Sequence, residues 1–100
     1  MSDTDVLIDE KIKQRTSEPN RFRVVLLNDD KTPMDFVIDL LVSIFRHSSD
    51  TAKNLTMEIH DEGSAIVGVY GFELAEQKSI EATTLSRQHG FPLQIRLEEE

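Results

Sequence analysis

The sequence predicts an α+β domain, with three helices on one face of a small antiparallel three-stranded sheet in the order β-α-α-β-α-β. Three observations carry this. Runs of β-branched and apolar residues bounded by turn formers recur at Arg21–Leu27, at Ser64–Gly71 and in the last ten residues. The stretches between them show apolar residues at helical spacing. A chain of 100 residues at 38% hydrophobic has room for a single modest core.

The elements follow in order. MSDTDVLIDEKIKQRTSEPN is polar apart from Val6–Ile8 and ends in the breaker SEPN, so residues 1–20 are expected to form a mobile extension and residues 21–100 the folded domain. RFRVVLL reads as a strand over Arg21–Leu27. Thr32 is expected to cap the first helix, with Pro33 at the first helical position and Asp35 three residues after the cap, approximating a capping box. Met34, Val37, Ile38, Leu41, Ile44 and Phe45 keep the helical period and carry that helix to about Arg46. HSSD interrupts, and a second helix is expected from about Asp50 to His60, ended by Gly63. On it Ala52, Thr56 and His60 share a face, with Leu55 and Ile59 beside them. SAIVGVYG is a strand, FELAEQKSIEATTLSRQHG a helix over about Glu73–His89 terminated by Gly90, and FPLQIRLEEE a closing strand.

Composition narrows the function. A formal net charge of −8, with the 11 Lys and Arg scattered rather than striped, argues against nucleic acid and anionic membrane surfaces as partners. The absence of cysteine excludes disulfides and thiolate metal sites and fits a reducing, cytoplasmic setting. The first residues contain no apolar run long enough for a signal peptide or a membrane span.

Catalysis needs a nucleophile, a paired acid and base, or a metal. The candidates are His60, followed by Asp61 and Glu62, and the run Asn28-Asp29-Asp30; neither forms a recognised catalytic spacing, and no glycine-rich phosphate loop is present. A non-enzymatic protein without cofactor or metal is expected. Taken by themselves, Asn28-Asp29-Asp30 is turn chemistry, His60 is a cation near a helix C-terminus, and Met34 is core.

The residues RVVLLNDDKTPMDFVIDLL, then Ala52 with His60 eight residues on, then GSAIVGVY, ELAEQK and FPL, resemble the ClpS adaptors over Arg21 to Leu97. The resemblance implies an adaptor of the bacterial N-end rule, which binds N-degron proteins whose first residue is a bulky hydrophobe (Leu, Phe, Tyr or Trp) and passes them to the ClpA unfoldase of the ClpAP protease. It implies that Asn28, Asp29 and His60 receive the free α-amine, while Thr32, Met34, Val37, Thr56, Ile59 and Leu93 line a cavity for the first side chain. It also implies that Glu73 and Lys78 belong to a surface for the unfoldase's N-terminal domain, where ordinary helix solvation is the competing reading, and that the amino-terminal extension is engaged by the unfoldase. An α-amine is mostly protonated at neutral pH, so a site for it needs acceptors and negative charge, which this run supplies.

Three positions depart from the pattern. Thr56 replaces the usual methionine, with Met57 adjacent but about 100° round the helix, and is expected to make the pocket wall smaller and more polar. Gly71 stands where a threonine cap is usual, a change worth only a few tenths of a kcal/mol. Phe91 replaces the usual histidine, which the sequence does not explain. The alternative reading is a ribosomal-stalk-like or regulatory interaction module that does not read N-termini.

Overall fold

The computed structural model describes residues 20–100. The extension expected over residues 1–20 therefore lies, apart from Asn20, outside the described residues. The order is β1 (Arg21–Leu27), α1 (Met34–Ser43), α2 (Ser49–Glu62), β2 (Ser64–Gly71), α3 (Phe72–Gln88) and β3 (Gln94–Glu99). Strand β1 is central, antiparallel to β2 on one side and β3 on the other. The fold class is the one the sequence predicts.

Alternation along β1 sends Val24 and Leu26, both fully buried, to the helix-covered face of the sheet. There they meet Val37, Leu40 and Leu41 of α1, Ala52 and Ile59 of α2, and Ala75 and Ala82 of α3. The two alanines are wholly buried, so α3 sits close to the sheet with no long side chain between. Burying one Leu or Val in such a core is worth about 1.5–3 kcal/mol.

Strand β2 carries one residue more than its partner. The register passes from Val24↔Gly68 to Val25↔Ile66, which leaves Val67 as a bulge. Its carbonyl lies 2.6 Å from His47 Nε2. A carbonyl only accepts, so the ring carries its proton on Nε2, and the chain between α1 and α2 is tied to the sheet.

The first helix differs from expectation at both ends. Thr32 does not cap it: Pro33 occupies the cap in extended geometry (φ −66°, ψ 145°) with no side-chain cap bond, and Met34 begins the helix. The Thr32 hydroxyl donates to Asp29 instead, 2.9 Å away, because that carboxylate folds back over its own turn. Asp35 keeps a favourable place in the first turn, near the positive end of the helix dipole. The helix stops at Ser43 rather than Arg46, whose φ is +63°. Phe45 lies beyond the helix yet is buried in the core, so the apolar period runs past the helical geometry. The exposed carbonyl end is closed by Lys78, whose Nζ donates to Ile44 O at 2.7 Å.

Helix α2 starts at Ser49, one residue before the expected point, because the Ser48 hydroxyl accepts from the Thr51 N–H at 3.1 Å and caps it. It ends at Gly63, whose φ of +93° is the left-handed cap that glycine adopts without strain. Helix α3 begins after Gly71, without a side-chain cap, and ends in a Schellman motif. Gly90 (φ +79°) donates to Arg87 O and Phe91 to Ser86 O. Phe91 then packs edge-on against Phe36, with ring centroids 5.0 Å apart, and stacks with His89, which gives that departure a packing role. No helix among the described residues is long and apolar enough to cross a membrane.

Candidate functional site

The end of β1 and the C-terminus of α2 are joined by one backbone bond. Asn28 N–H donates to Gly63 O at 2.9 Å, just beyond the Leu27↔Ser64 pair. This bond brings Asn28 beside the last turn of α2, where His60 stands. The start of α1 closes a third side and Leu93, entering β3, a fourth. Together they enclose a pocket of about 260 Å³, counted to its open mouth. That figure takes in open solvent at the mouth; the enclosed part is small, about 20 Å³.

Nine residues singled out from the sequence stand round this pocket: Asn28, Asp29, Thr32, Met34, Val37, Thr56, Ile59, His60 and Leu93. The pocket also takes in Leu27, which sequence reasoning missed. Its place at the end of β1, next to Asn28, was the available signal. Val37, Thr56, Ile59 and Leu93 in the lining are all buried, whereas Met34 is 38% exposed. Asn28 and His60 are exposed at the rim.

Thr56 turns its hydroxyl into its own helix, donating to Ala52 O at 2.8 Å, so its proton is spent there while its oxygen keeps acceptor capacity. Its methyl is available for packing, and the side chain is smaller than a methionine.

Asp29 organises the rim. Oδ1 accepts the backbone N–H of Lys31 at 2.8 Å and of Thr32 at 2.7 Å, while Oδ2 accepts the Thr32 hydroxyl. Burial works to raise its pKa, but these three hydrogen bonds and the charge of Arg87 outweigh it and hold the carboxyl below its ordinary range. The group is an anion at neutral pH. A carboxylate has about four lone-pair directions, so three internal bonds leave it able to accept one more donor.

Glu73 and Lys78 stand elsewhere. Both are on α3, five residues apart and thus about 140° apart round the helix. Glu73 is exposed in the first turn, whereas Lys78 is half-buried at Ile44 O, with its ammonium 5.5 Å from the Tyr70 ring centre and 6.0 Å from that of Phe45. Neither lines the pocket. Among the described residues no group of three His, Asp or Glu side chains could hold a metal.

Comparison with known proteins gives a consistent result. Residues 17–96 match the family model described as ATP-dependent Clp protease adaptor protein ClpS. The ATP-dependent Clp protease adapter protein ClpS of Oleidesulfovibrio alaskensis is 44% identical over 97 residues, spanning 97% of this chain and 89% of that protein. The protein of the same name from Treponema denticola is 42% identical over 87 residues, 87% of this chain and 86% of its own. Among solved structures, Agrobacterium tumefaciens ClpS2 bound to L-phenylalaninamide superimposes with a TM-score of 0.81 at 44% identity, covering 83% of this chain and all of that one. With the family model matching most of the chain and relatives above 40% identity along nearly its whole length, the protein belongs to the ClpS family of Clp protease adaptors.

Proposed function

We propose that the pocket binds the free amine and bulky hydrophobic first residue of N-degron substrates, and that the protein delivers them to the ClpA unfoldase of ClpAP. The observation that carries this reading is a small apolar pocket with an anionic Asp29, the Asn28 amide and the His60 imidazole at its rim. Asn28 offers a carbonyl oxygen to the ammonium, Asp29 its remaining acceptor direction and its charge, and His60 a ring nitrogen. Leu, Phe, Tyr or Trp fills the space between Val37, Thr56, Ile59 and Leu93. The ligand of the Agrobacterium relative supports this, because phenylalaninamide joins a free amine and a bulky aromatic side chain to an amide that stands for the first peptide bond.

In this reading residues 21–100 are the adaptor domain, and the amino-terminal extension acts in delivery rather than in binding. Glu73 is the residue of α3 best placed to meet the unfoldase. The contribution of Lys78 is bound up with the closure of α1.

The test is a fluorescence titration with short peptides that differ only at the first residue and its amine. Free Leu, Phe, Tyr and Trp peptides bind. Their N-acetylated forms lose the charge and two donors, each charged hydrogen bond being worth about 1.5–3 kcal/mol, and bind at least tenfold more weakly. Ile and Val starters bind poorly, since a branch at Cβ collides with the narrow mouth. Equal affinity for free and acetylated peptides sinks the amine site and leaves the interaction-module reading.

A further inference from the structure

Leu93 forms one wall of the pocket, yet it belongs to neither a helix nor a strand. It lies in the short link His89–Leu93, between the end of α3 and the start of β3 at Gln94. The α3 end of the link is set by the Schellman motif at Gly90 and Phe91, and the β3 end by the pairing of Gln94 with Leu27. Between these points Pro92 has no N–H to give. The two carbonyls around it are taken by one side chain: Arg87 Nη1 donates to Phe91 O at 3.0 Å and to Leu93 O at 2.8 Å. Arg87 stands one turn before the link and folds back over it, so a single guanidinium nitrogen clamps the backbone that carries the pocket wall.

The same cation also bears on the rim through its charge, the least of the influences that lower the Asp29 pKa. Its charge acts on Asp29, the anion that holds Lys31 N–H, Thr32 N–H and the Thr32 hydroxyl in place. One residue outside the pocket thus touches the backbone of its wall and supports the charge of its rim.

We propose that Arg87 is a positioning residue of the peptide site, clamping the Leu93 wall through the Phe91 and Leu93 carbonyls. This rests on the pocket's being the peptide site. It adds a residue that lines no part of the pocket and that the ligand does not touch.

The test compares Arg87→Met, which keeps an unbranched stem and loses donors and charge, with Arg87→Lys, which restores both on one nitrogen. In the protein without peptide, Arg87→Met is expected to shift the Leu93 methyl resonances and to raise the titration midpoint of the Asp29 carboxyl carbon by NMR. The sign follows from linkage. Asp29 has a lowered pKa in the folded state, so its stabilisation is full above the ordinary value of 3.8 and is lost as pH falls through the folded value. Removing the Arg87 cation moves that loss to higher pH. Asp30 and Lys31 adjoin Asp29 on its own loop and His60 lines the same pocket, and all three are retained in both variants. With a free Phe-initiated peptide at neutral pH, Arg87→Met is expected to bind about tenfold more weakly, a change of about 1.4 kcal/mol. Arg87→Lys is expected to recover the Asp29 midpoint and most of the affinity. Wild-type Leu93 resonances in Arg87→Met overturn the inference whatever the peptides do. Wild-type affinity in Arg87→Met overturns it as well. Should the unaltered protein bind free and acetylated peptides equally, the proposed function falls, while the Leu93 resonances still decide the role of Arg87.

Discussion

Substitution of Lys78 by alanine is expected to destabilise the domain without altering the pocket proposed to bind peptides. The Lys78 ammonium donates to Ile44 O at 2.7 Å and lies over Tyr70 at 5.5 Å and Phe45 at 6.0 Å. A charged hydrogen bond is worth about 1.5–3 kcal/mol, and part-exposure of this side chain places it at the lower end. The Tyr70 contact adds about 0.5 kcal/mol, while the Phe45 ring is at the edge of the cation–π range and adds nothing to the sum. The loss is therefore about 2 kcal/mol, since Ile44 O is also left without its donor. For a domain of this size that lowers Tm by roughly 8–16 °C. Thermal unfolding followed by circular dichroism measures it, with Lys78→Arg as the partner variant that keeps charge and donors and loses less. A Lys78→Ala Tm within about 2 °C of the unaltered protein refutes the anchoring of the ammonium at the α1 terminus. The outcome bears on function. Weak docking of Lys78→Ala on an unfoldase has two sources, a missing contact and a loosened α1, and only the Arg variant and the stability measurement separate them.

Other perturbations act on the pocket directly. Asn28→Ala and His60→Ala each weaken binding of a Phe-initiated peptide about tenfold or more, as titration reads it, with Tm little changed because both side chains are exposed at the rim. Thr56→Met narrows the pocket and moves preference from Trp towards Leu, whereas Thr56→Val leaves the Trp to Leu affinity ratio unchanged, because the hydroxyl is bonded to Ala52 O; competition titrations give both ratios. Deletion of residues 1–17 leaves peptide affinity unchanged but abolishes faster degradation of a folded N-degron substrate in an assay with purified ClpA and its protease.

What could be read from the sequence follows what decides each feature. Strands β1 and β2 have the bounds the sequence predicts, because β-branched runs meet turn formers at both ends and no distant contact competes. The start of α1 does not, since two local partners compete for Thr32: the helix terminus behind Pro33, and the Asp29 carboxylate three residues back. The carboxylate wins with three bonds at once. The far end of α1 misleads for the opposite reason. Phe45 keeps the apolar period because the core reaches past the helix, and the stop is imposed by Arg46 in the left-handed region and by a lysine 34 residues away. The nine pocket residues came from family resemblance; periodicity alone would have put Met34 in the core and His60 at an unremarked helix end. Arg87 carries no motif at all. Its role depends on backbone carbonyls, which no side-chain pattern announces.

The two readings of Asn28-Asp29-Asp30, a turn or an amine site, are not alternatives once the hydrogen bonds are counted. Asp29 spends three acceptor directions on Lys31 and Thr32, and that is turn chemistry in full. Those bonds also hold the carboxylate ionised and bring Thr32 to the pocket, so the turn makes the rim anionic before any ligand arrives. An ammonium entering such a site finds charge and acceptors already fixed and needs little side-chain ordering to meet them. Asn28 is positioned by different means, its backbone N–H held by Gly63 O while its exposed side chain is left to the solvent side. On the proposed reading, the residue that builds the turn supplies the field, and its neighbour, anchored through the main chain, supplies the directional acceptor. Replacing Asp29 by alanine therefore removes both the field and the placement of Thr32, whereas replacing Asn28 removes one acceptor and leaves the turn standing.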